Sequence, residues 1–291
     1  MRNPYKRTDV FVCNFESHAR FENRVSVYHV MQSKKCFPQG CIYFKWSCAL
    51  MEQGRNCVKG FKHPGRLCKG CTHFVDEKIH FQPKVKLSQL EYERFQRELE
   101  DFEDWLLEVQ DREVSLWMEV DSIKPRFRKD VMAGKGQIRL NGYLLIARHG
   151  FIGAEPFDDY IYAYLSPHQQ EKLKIAPQDR FEARGVLKLD RGRILFPKIW
   201  AIDFDLRSEE KTWTNSNALV ARQTATSFAT QPNACLHCPY GALVDVGEKK
   251  NGTFKLRREL YCLKGVADYQ QCYVAAQEKI NKCVTGAALK K

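Results

Sequence analysis

Six cysteines lie close together near the start of the chain, and thiols at this density favour a crosslink. Within residues 36–71 the sequence contains Cys36, Cys41, Cys48, Cys57, Cys68 and Cys71. Free thiols behave as small buried hydrophobes, and packing alone does not select so many of them in one stretch. The two chemistries that use clustered thiols are disulfide bonding and metal ligation.

The compartment decides between these two chemistries. The first 15 residues carry charge but no apolar run of signal-peptide length. No stretch of the chain reaches the roughly 18 uninterrupted apolar residues of a membrane span. We therefore expect a cytoplasmic protein that does not enter the membrane. Because thiols stay reduced in the cytoplasm, the cluster favours metal ligation.

The spacing of the six cysteines leaves the metal open. Cys68 and Cys71 form the one Cys-x-x-Cys pair of the cluster, whereas a typical zinc ribbon supplies two such pairs. The irregular spacing and the aromatic neighbours are compatible with an iron–sulfur cluster or with an irregular Zn²⁺ site. Six thiols exceed one tetrahedral site, so at least two of them are expected to be structural.

A second group of thiols lies near the end of the chain. Cys235 and Cys238 form another Cys-x-x-Cys pair, Cys262 follows after 23 residues, and Cys272 after nine more. Four thiols in this order predict a second metal site, again of zinc or iron–sulfur type. Cys13, in an apolar run, is interpreted as a core residue, and Cys283 as non-ligating.

Charge is distributed unevenly along the 291 residues, whose net charge is +12. Residues 1–90 carry 16 basic and 6 acidic side chains, and residues 211–291 carry 12 and 5. Residues 91–130, in contrast, carry 7 basic and 13 acidic side chains. Basic charge at both Cys-bearing ends favours a polyanionic partner, most often nucleic acid.

The clearest helix is predicted over residues 87–110. Ser88 and Glu91 form a capping box at its start. One apolar stripe follows at three- and four-residue steps, formed by Phe95, Leu99, Phe102, Leu106 and Val109. The opposite face is acidic, as expected for a connecting helix with a solvated outer side.

Residues 113–206 predict mainly strands, with one short helix from Ser166-Pro167. The strands are predicted at 114–121, 138–147, 160–165, 181–189 and 194–204. In the second strand we expect Ile138, Leu140, Leu144 and Ile146 to share one face, and Arg139, Asn141 and Tyr143 the other. In the third strand Ile161, Ala163 and Leu165 oppose Tyr160, Tyr162 and Tyr164.

The order of three strands, a helix and two strands resembles that of nucleic-acid-type OB-fold domains, which are five-stranded Greek-key barrels. The stretch 176–187, with its Pro-Gln-Asp turn, looks like the entry to the fourth strand of such domains. The resemblance covers about a third of the chain. It implies that oligonucleotides are held on strands 2 and 3 and on the loops between strands 1–2 and 4–5.

Basic and aromatic side chains occupy the regions that this resemblance singles out, the first of which is a predicted loop at 124–137. Base stacking on aromatic rings, with cations meeting phosphate, is the physics of single-strand binding. The candidate contacts with single-stranded RNA or DNA are Lys124, Arg126, Arg128, Lys129, Lys135, Arg139, Tyr143, Tyr160, Tyr162, Tyr164, Arg191 and Arg193. The alternative is that the tyrosine side packs on a protein or on another domain.

Together these features predict an α+β chain with five segments. They are a Cys-rich basic unit at 1–86, the connecting helix at 87–112, an OB-like barrel at 113–206, a linker at 207–234 and a Cys-metal unit at 235–291. No motif of a nucleotide-binding or hydrolytic enzyme is present, so we expect no catalytic residue. The predicted function is metal-stabilised nucleic-acid binding. The alternatives are an iron–sulfur electron-transfer or redox-sensing subunit and a zinc-only structural adaptor.

Overall fold

The computed structural model describes residues 1–132, 135–228, 232–250 and 253–273. The sequence also predicts a hairpin of strands 243–246 and 254–260 across an Asn251-Gly252 turn, and a helix over 267–282. The turn, most of that helix and Cys283 lie outside the described ranges. The chain divides into two compact units. One unit comprises Asn3–Leu107 with Arg191–Arg193, and the other comprises Met1–Arg2, Glu108–Asp190 and the described residues from Ile194 onward.

The unit that contains Asn3–Leu107 has two small sheets and one long helix. Its elements are β1 (Phe11–Val12), β2 (Arg24–Val25), β3 (Cys41–Cys48), α1 (Ala49–Glu52), β4 (Phe74–Phe81), β5 (Lys84–Val85) and α2 (Gln89–Val109). Short 3-10 or π turns occur at Pro4–Lys6, Glu16–Phe21, Tyr28–Ser33 and Arg66–Cys68. Strands β2, β1 and β5 form one sheet, and β3 pairs with β4 as an antiparallel ribbon.

The predicted helix is confirmed as α2, and its apolar stripe forms the core of this unit. Phe95, Leu99, Phe102 and Leu106 are buried, and Trp105 is buried with them. The Phe102 ring lies 5.2 Å from the ring of Tyr5. The helix is amphipathic because these residues recur every three or four positions, which places them on one side.

The capping box of α2 is also present. The backbone N–H of Ser88 donates to the Glu91 carboxylate at 2.9 Å, and the N–H of Glu91 donates back to the Ser88 hydroxyl at 3.4 Å. The Ser88 hydroxyl also donates to the Glu91 carboxylate at 2.6 Å. This bond, followed by the one from the Ser88 backbone N–H, lowers the pKa of Glu91.

We expect Ser88→Ala to lower the free energy of unfolding by about 1 kcal/mol, because the first turn of α2 loses its side-chain acceptor. Urea unfolding followed by far-ultraviolet circular dichroism measures the change. Ser88→Thr keeps an acceptor oxygen and is the matched control. Equal stability of the alanine and threonine variants would contradict this role for Ser88.

The other unit begins with a large set of strands. Its first elements are β6 (Glu113–Glu119), β7 (Ser122–Met132), β8 (Lys135–Ala147), β9 (Gly150–Ile152), β10 (Glu155–Phe157), β11 (Ile161–Leu165), α3 (Pro167–Leu173), β12 (Arg180–Val186) and β13 (Lys188–Asp190). The rest are β14 (Arg193–Phe196), β15 (Ile199–Leu206), α4 (Asn215–Thr224), β16 (Thr226–Phe228), α5 (Asn233–His237), β17 (Gly241–Lys250) and β18 (Thr253–Cys262), followed by a 3-10 turn at Tyr269–Gln271.

These strands form two sheets. Five strands have the order β10-β9-β6-β12-β15, and eight have the order β13-β14-β11-β8-β7-β17-β18-β16. Large side chains between them are fully buried, among them Leu116, Met118, Phe127, Leu145 and Phe181. The predicted α+β class is confirmed, but the sheets do not form a clear five-stranded barrel.

Three features account for this difference. Residues 124–137, predicted as a loop, mostly belong to the long β7–β8 hairpin. The predicted last strand divides around Pro197 into β14, which pairs with β11, and β15, which pairs with β12. The C-terminal hairpin β17–β18 then joins the same sheet, because β17 pairs in parallel with β7. The five predicted segments stay a prediction, although α4 and β16 lie within the predicted linker.

Candidate nucleic-acid interface and thiol groups

A bulge in β8 decides which side chains share a face of the eight-stranded sheet. Arg126 pairs with Gly142 and Phe127 pairs with Leu140, so Asn141 is the extra residue. An extra residue reverses the alternation of side chains along a strand. Paired residues lie on the same face, so Arg139 shares a face with Arg126 and not with the core residue Phe127.

The predicted alternation in the second strand is therefore wrong across the bulge. Ile138 and Leu140 share the core side with Tyr143, whereas Leu144 and Ile146 lie on the opposite side. Tyr143 itself is fully buried, and its hydroxyl donates to the Asn215 side chain at 2.9 Å. In β11 the predicted alternation is confirmed, with Ile161, Ala163 and Leu165 buried and the tyrosines on the other side.

We name the side of the sheet that carries these tyrosines the open face, and define it by Arg126, Arg128, Arg139, Tyr160, Tyr162 and Tyr164. The rings of Tyr160 and Tyr162 stack with centroids 6.2 Å apart. The guanidinium of Arg126 lies 3.9 Å from the ring centroid of Tyr164. All three tyrosines are half-buried, so each side chain is partly packed and partly exposed to solvent.

Carboxylates hold the arginines of the open face. Asp130 accepts from Arg128 at 2.9 Å and from Arg139 at 2.5 Å, and both arginines are largely exposed. These arginines keep the pKa of Asp130 below its usual value, mainly through the hydrogen bond from Arg128. Asp245 lies 3.6 Å from Arg126. The face thus combines aromatic rings with guanidinium groups whose orientation is fixed.

Other predicted contacts are not part of the exposed surface of this face. Lys124 is buried, and its ammonium donates to the backbone carbonyls of Leu236 at 2.9 Å and Gly241 at 3.2 Å. Lys129 is on the opposite face of β7, where it donates to the Tyr261 hydroxyl. Arg191 and Arg193 lie at the turn between β13 and β14, in the first unit. Lys135 begins β8, and the position of its side chain is not described.

Sequence reasoning missed Arg148, Asp130 and Asp245. The guanidinium of Arg148 lies 5.9 Å from the Tyr160 ring centroid and 3.0 Å from the Asp121 carboxylate. Arg128 and Asp130 are two positions apart in the sequence, a spacing that places both side chains on one face of a strand. Asp245 belongs to a segment more than 100 residues further along, so no local pattern connects it with Arg126.

The N-terminal thiols are distributed over the whole β3–β4 ribbon. Cys41 and Cys48 are the two ends of β3, and the turn that carries Cys68 and Cys71 immediately precedes β4. Cys36 is buried near Cys41 and Cys13, and burial raises the pKa of its thiol. Cys13 is buried, as expected for a core residue. Cys57 accepts hydrogen bonds from backbone N–H groups, first that of Lys59, which lower its pKa.

The C-terminal thiols are closer to one another. Burial raises the pKa of Cys235, and neighbouring charge on Cys238, Cys272 and Cys262 raises it further. Cys262 and Cys272 therefore lie within electrostatic reach of the Cys-x-x-Cys pair. The backbone N–H of Tyr240 donates to the sulfur of Cys238 at 3.4 Å, an interaction that stabilises thiolates.

The described cysteines form no disulfide bonds. Among the residues that the structure describes, no three His, Cys, Asp or Glu side chains are already arranged to hold a metal ion. Metal ligation at either group of thiols therefore stays a prediction. Nor does any described helix have the length and hydropathy needed to cross a membrane.

Comparisons with protein-family models, with curated proteins and with solved structures found no match for this chain.

Proposed function

We propose that this protein binds single-stranded nucleic acid on the open face of its eight-stranded sheet. The observation that carries the proposal is the tyrosine row, in which Tyr160 and Tyr162 stack and Arg126 covers Tyr164. Bases stack on aromatic rings regardless of sequence, and arginine adds cation–π contacts and phosphate binding. A surface that carries both aromatic rings and guanidinium groups can therefore bind a flexible single-stranded nucleic acid.

The neighbouring charges support the same function. Arg128 and Arg139 lie on the same face as the tyrosines, and Asp130 holds both guanidinium groups. A phosphate can approach the exposed N–H groups that the carboxylate leaves free, since guanidinium carries five donors. Because Asp130 and Asp245 partly neutralise the arginines, we expect moderate affinity that falls as salt concentration rises.

Metal-bound thiols at the two Cys-rich ends are part of this proposal. Either zinc or an iron–sulfur cluster would crosslink segments distant in sequence and stabilise the two units. Zinc ions and iron–sulfur clusters are both bound by cysteine thiolates, so the thiols present here fit either of them. The metal would stabilise the folded units, and the row of tyrosines would bind the nucleic acid.

Tyr162→Ala tests the proposal. Loss of one stacking ring costs about 1–3 kcal/mol per base, so we expect the Kd for single-stranded DNA or RNA to rise about 5- to 150-fold. Fluorescence anisotropy with labelled pyrimidine oligonucleotides measures the affinity. Tyr143→Phe is the control, because that ring is buried on the opposite face; it should leave the affinity unchanged.

A salt titration separates phosphate contacts from stacking. Arg139→Gln should reduce the slope of log K against log salt by about one unit if Arg139 meets a phosphate. Tyr162→Ala should leave that slope unchanged. Absence of binding to either nucleic acid, or equal affinity of Tyr162→Ala and the wild-type protein, would refute the proposal and favour a protein-docking role for the open face.

A further inference from the structure

The four C-terminal cysteines lie where three segments of one unit meet. Cys262 ends β18 and pairs directly with Gly241, the first residue of β17. Cys235 lies in the short helix α5 and Cys238 directly follows it, and the loop after α5 leads into Gly241. The backbone N–H of Leu263 donates to the Tyr240 carbonyl at 2.9 Å, which fixes the loop beside the end of β18.

Gly241 allows this loop to lie directly on the sheet. A Cβ atom at this position would be 1.8 Å from the carbonyl oxygen of Cys235 and 3.5 Å from that of Cys238. Both cysteines of the pair are therefore held against the strand that faces Cys262. Any larger residue at position 241 would push the loop, and with it the two thiols, away from β18.

Cys272 reaches the same place through the segment that follows β18. Phe228 of β16 pairs with Leu260 of β18. Its ring lies 6.4 Å from the ring of Tyr269, three residues before Cys272. This contact returns the chain towards the end of β18, where Cys262 lies.

A buried cation accompanies the thiols. Lys124 of β7 is 4% exposed, and its ammonium donates to the carbonyls of Leu236 and Gly241, which flank Cys238. A negatively charged centre bound by the cysteines would be attracted to this buried ammonium.

We propose that Cys235, Cys238, Cys262 and Cys272 bind one Zn²⁺ ion as a four-thiolate site, with Lys124 as its positively charged neighbour. The four thiols release their protons to solvent as the ion binds, which gives a centre of net charge −2. The sulfurs do not yet converge, so rotation about the side-chain bonds must accompany binding. The inference does not depend on nucleic-acid binding.

Zinc fits this location better than a cluster does. The ion needs only the four thiolates, at Zn–S distances of about 2.3 Å, whereas an iron–sulfur cluster also needs inorganic sulfide and space for it. The loop of Cys235 and Cys238 is in contact with β17, and the N–H of Tyr240 already points at one sulfur.

Elemental analysis of the full-length protein tests the ligand set. We expect Cys235→Ser and Cys238→Ser each to lose about one equivalent of zinc per chain, and Cys13→Ala, a buried cysteine of the other unit, to lose none. Lys124→Met should keep the ligands but weaken zinc affinity about 10- to 100-fold, as outer partners of metal ligands do. Equal zinc content in all variants, or iron with inorganic sulfide in place of zinc, would overturn the proposal.

Cysteine labelling of the wild-type protein gives a test that does not depend on the folding of variants. Alkylation sites are mapped by mass spectrometry before and after zinc is removed with a chelator. We expect these four cysteines to be protected together in zinc-loaded protein and to become labelled together after chelation. Labelling at the same rate in both states would overturn the proposal even if the serine variants do not fold.

Discussion

Gly142→Ala is expected to lower the free energy of unfolding by about 3 kcal/mol or more. Gly142 has a φ of +124°, which L side chains rarely adopt, and a Cβ atom there would lie 2.1 Å from the backbone oxygen of Leu165. The neighbouring strand β11 would have to move, and with it the row of tyrosines. Chemical denaturation followed by tryptophan fluorescence measures the loss.

Gly153→Ala is the matched control for Gly142→Ala. Gly153 also has a positive φ, of +63°, but no atom lies within 4 Å of the position that its Cβ would occupy. Only the backbone strain remains, at about 1–2 kcal/mol. If both variants lose the same stability, the close approach of β11 to Gly142 is not what makes glycine necessary there.

Asp179→Ala is expected to cost about 2–4 kcal/mol, because two backbone N–H groups lose their acceptor and a buried donor left unsatisfied costs about 1–3 kcal/mol. The Asp179 side chain is fully buried. It accepts from the backbone N–H of Ala176 at 2.8 Å and of Ser208 at 2.6 Å, and Arg207 lies 3.6 Å away. Alanine would leave these donors without their acceptor.

The comparison for Asp179→Ala is Asp203→Ala, which removes an exposed carboxylate from β15. We expect this surface change to alter stability by no more than about 0.5 kcal/mol. Thermal or urea unfolding of the two variants measures the change in stability that each substitution causes. A small effect at Asp179 would mean that water replaces the carboxylate, and that this residue does not tie the turn before β12 to the end of β15.

Local patterns were sufficient for most of the secondary structure. The capping box at Ser88 and the apolar stripe from Phe95 to Leu106 predicted α2 to within two residues at each end. Ser166-Pro167 predicted α3, and the β17–β18 hairpin was predicted around its turn. Each of these elements depends on residues only a few positions apart, so the local sequence is sufficient to predict it.

The candidate interface was predicted only in part. The alternation of Tyr160, Tyr162 and Tyr164 was sufficient to place them on one side of a strand. The sequence did not reveal that Lys124 and Tyr143 are buried. Their burial depends on the bulge at Asn141 and on the C-terminal hairpin beside β7, neither of which has a strong local signature.

The amino-acid sequence by itself determined the α+β class, the long amphipathic helix, the alternation within β11 and the concentration of thiols at both ends. Tertiary structure alone decided that β17 pairs with β7, that Asp245 meets Arg126, and that Lys124 contacts the loop of Cys235 and Cys238. The physical reason is that alternation and capping arise from neighbouring residues, whereas strand pairing and burial depend on contacts between segments more than 100 residues apart.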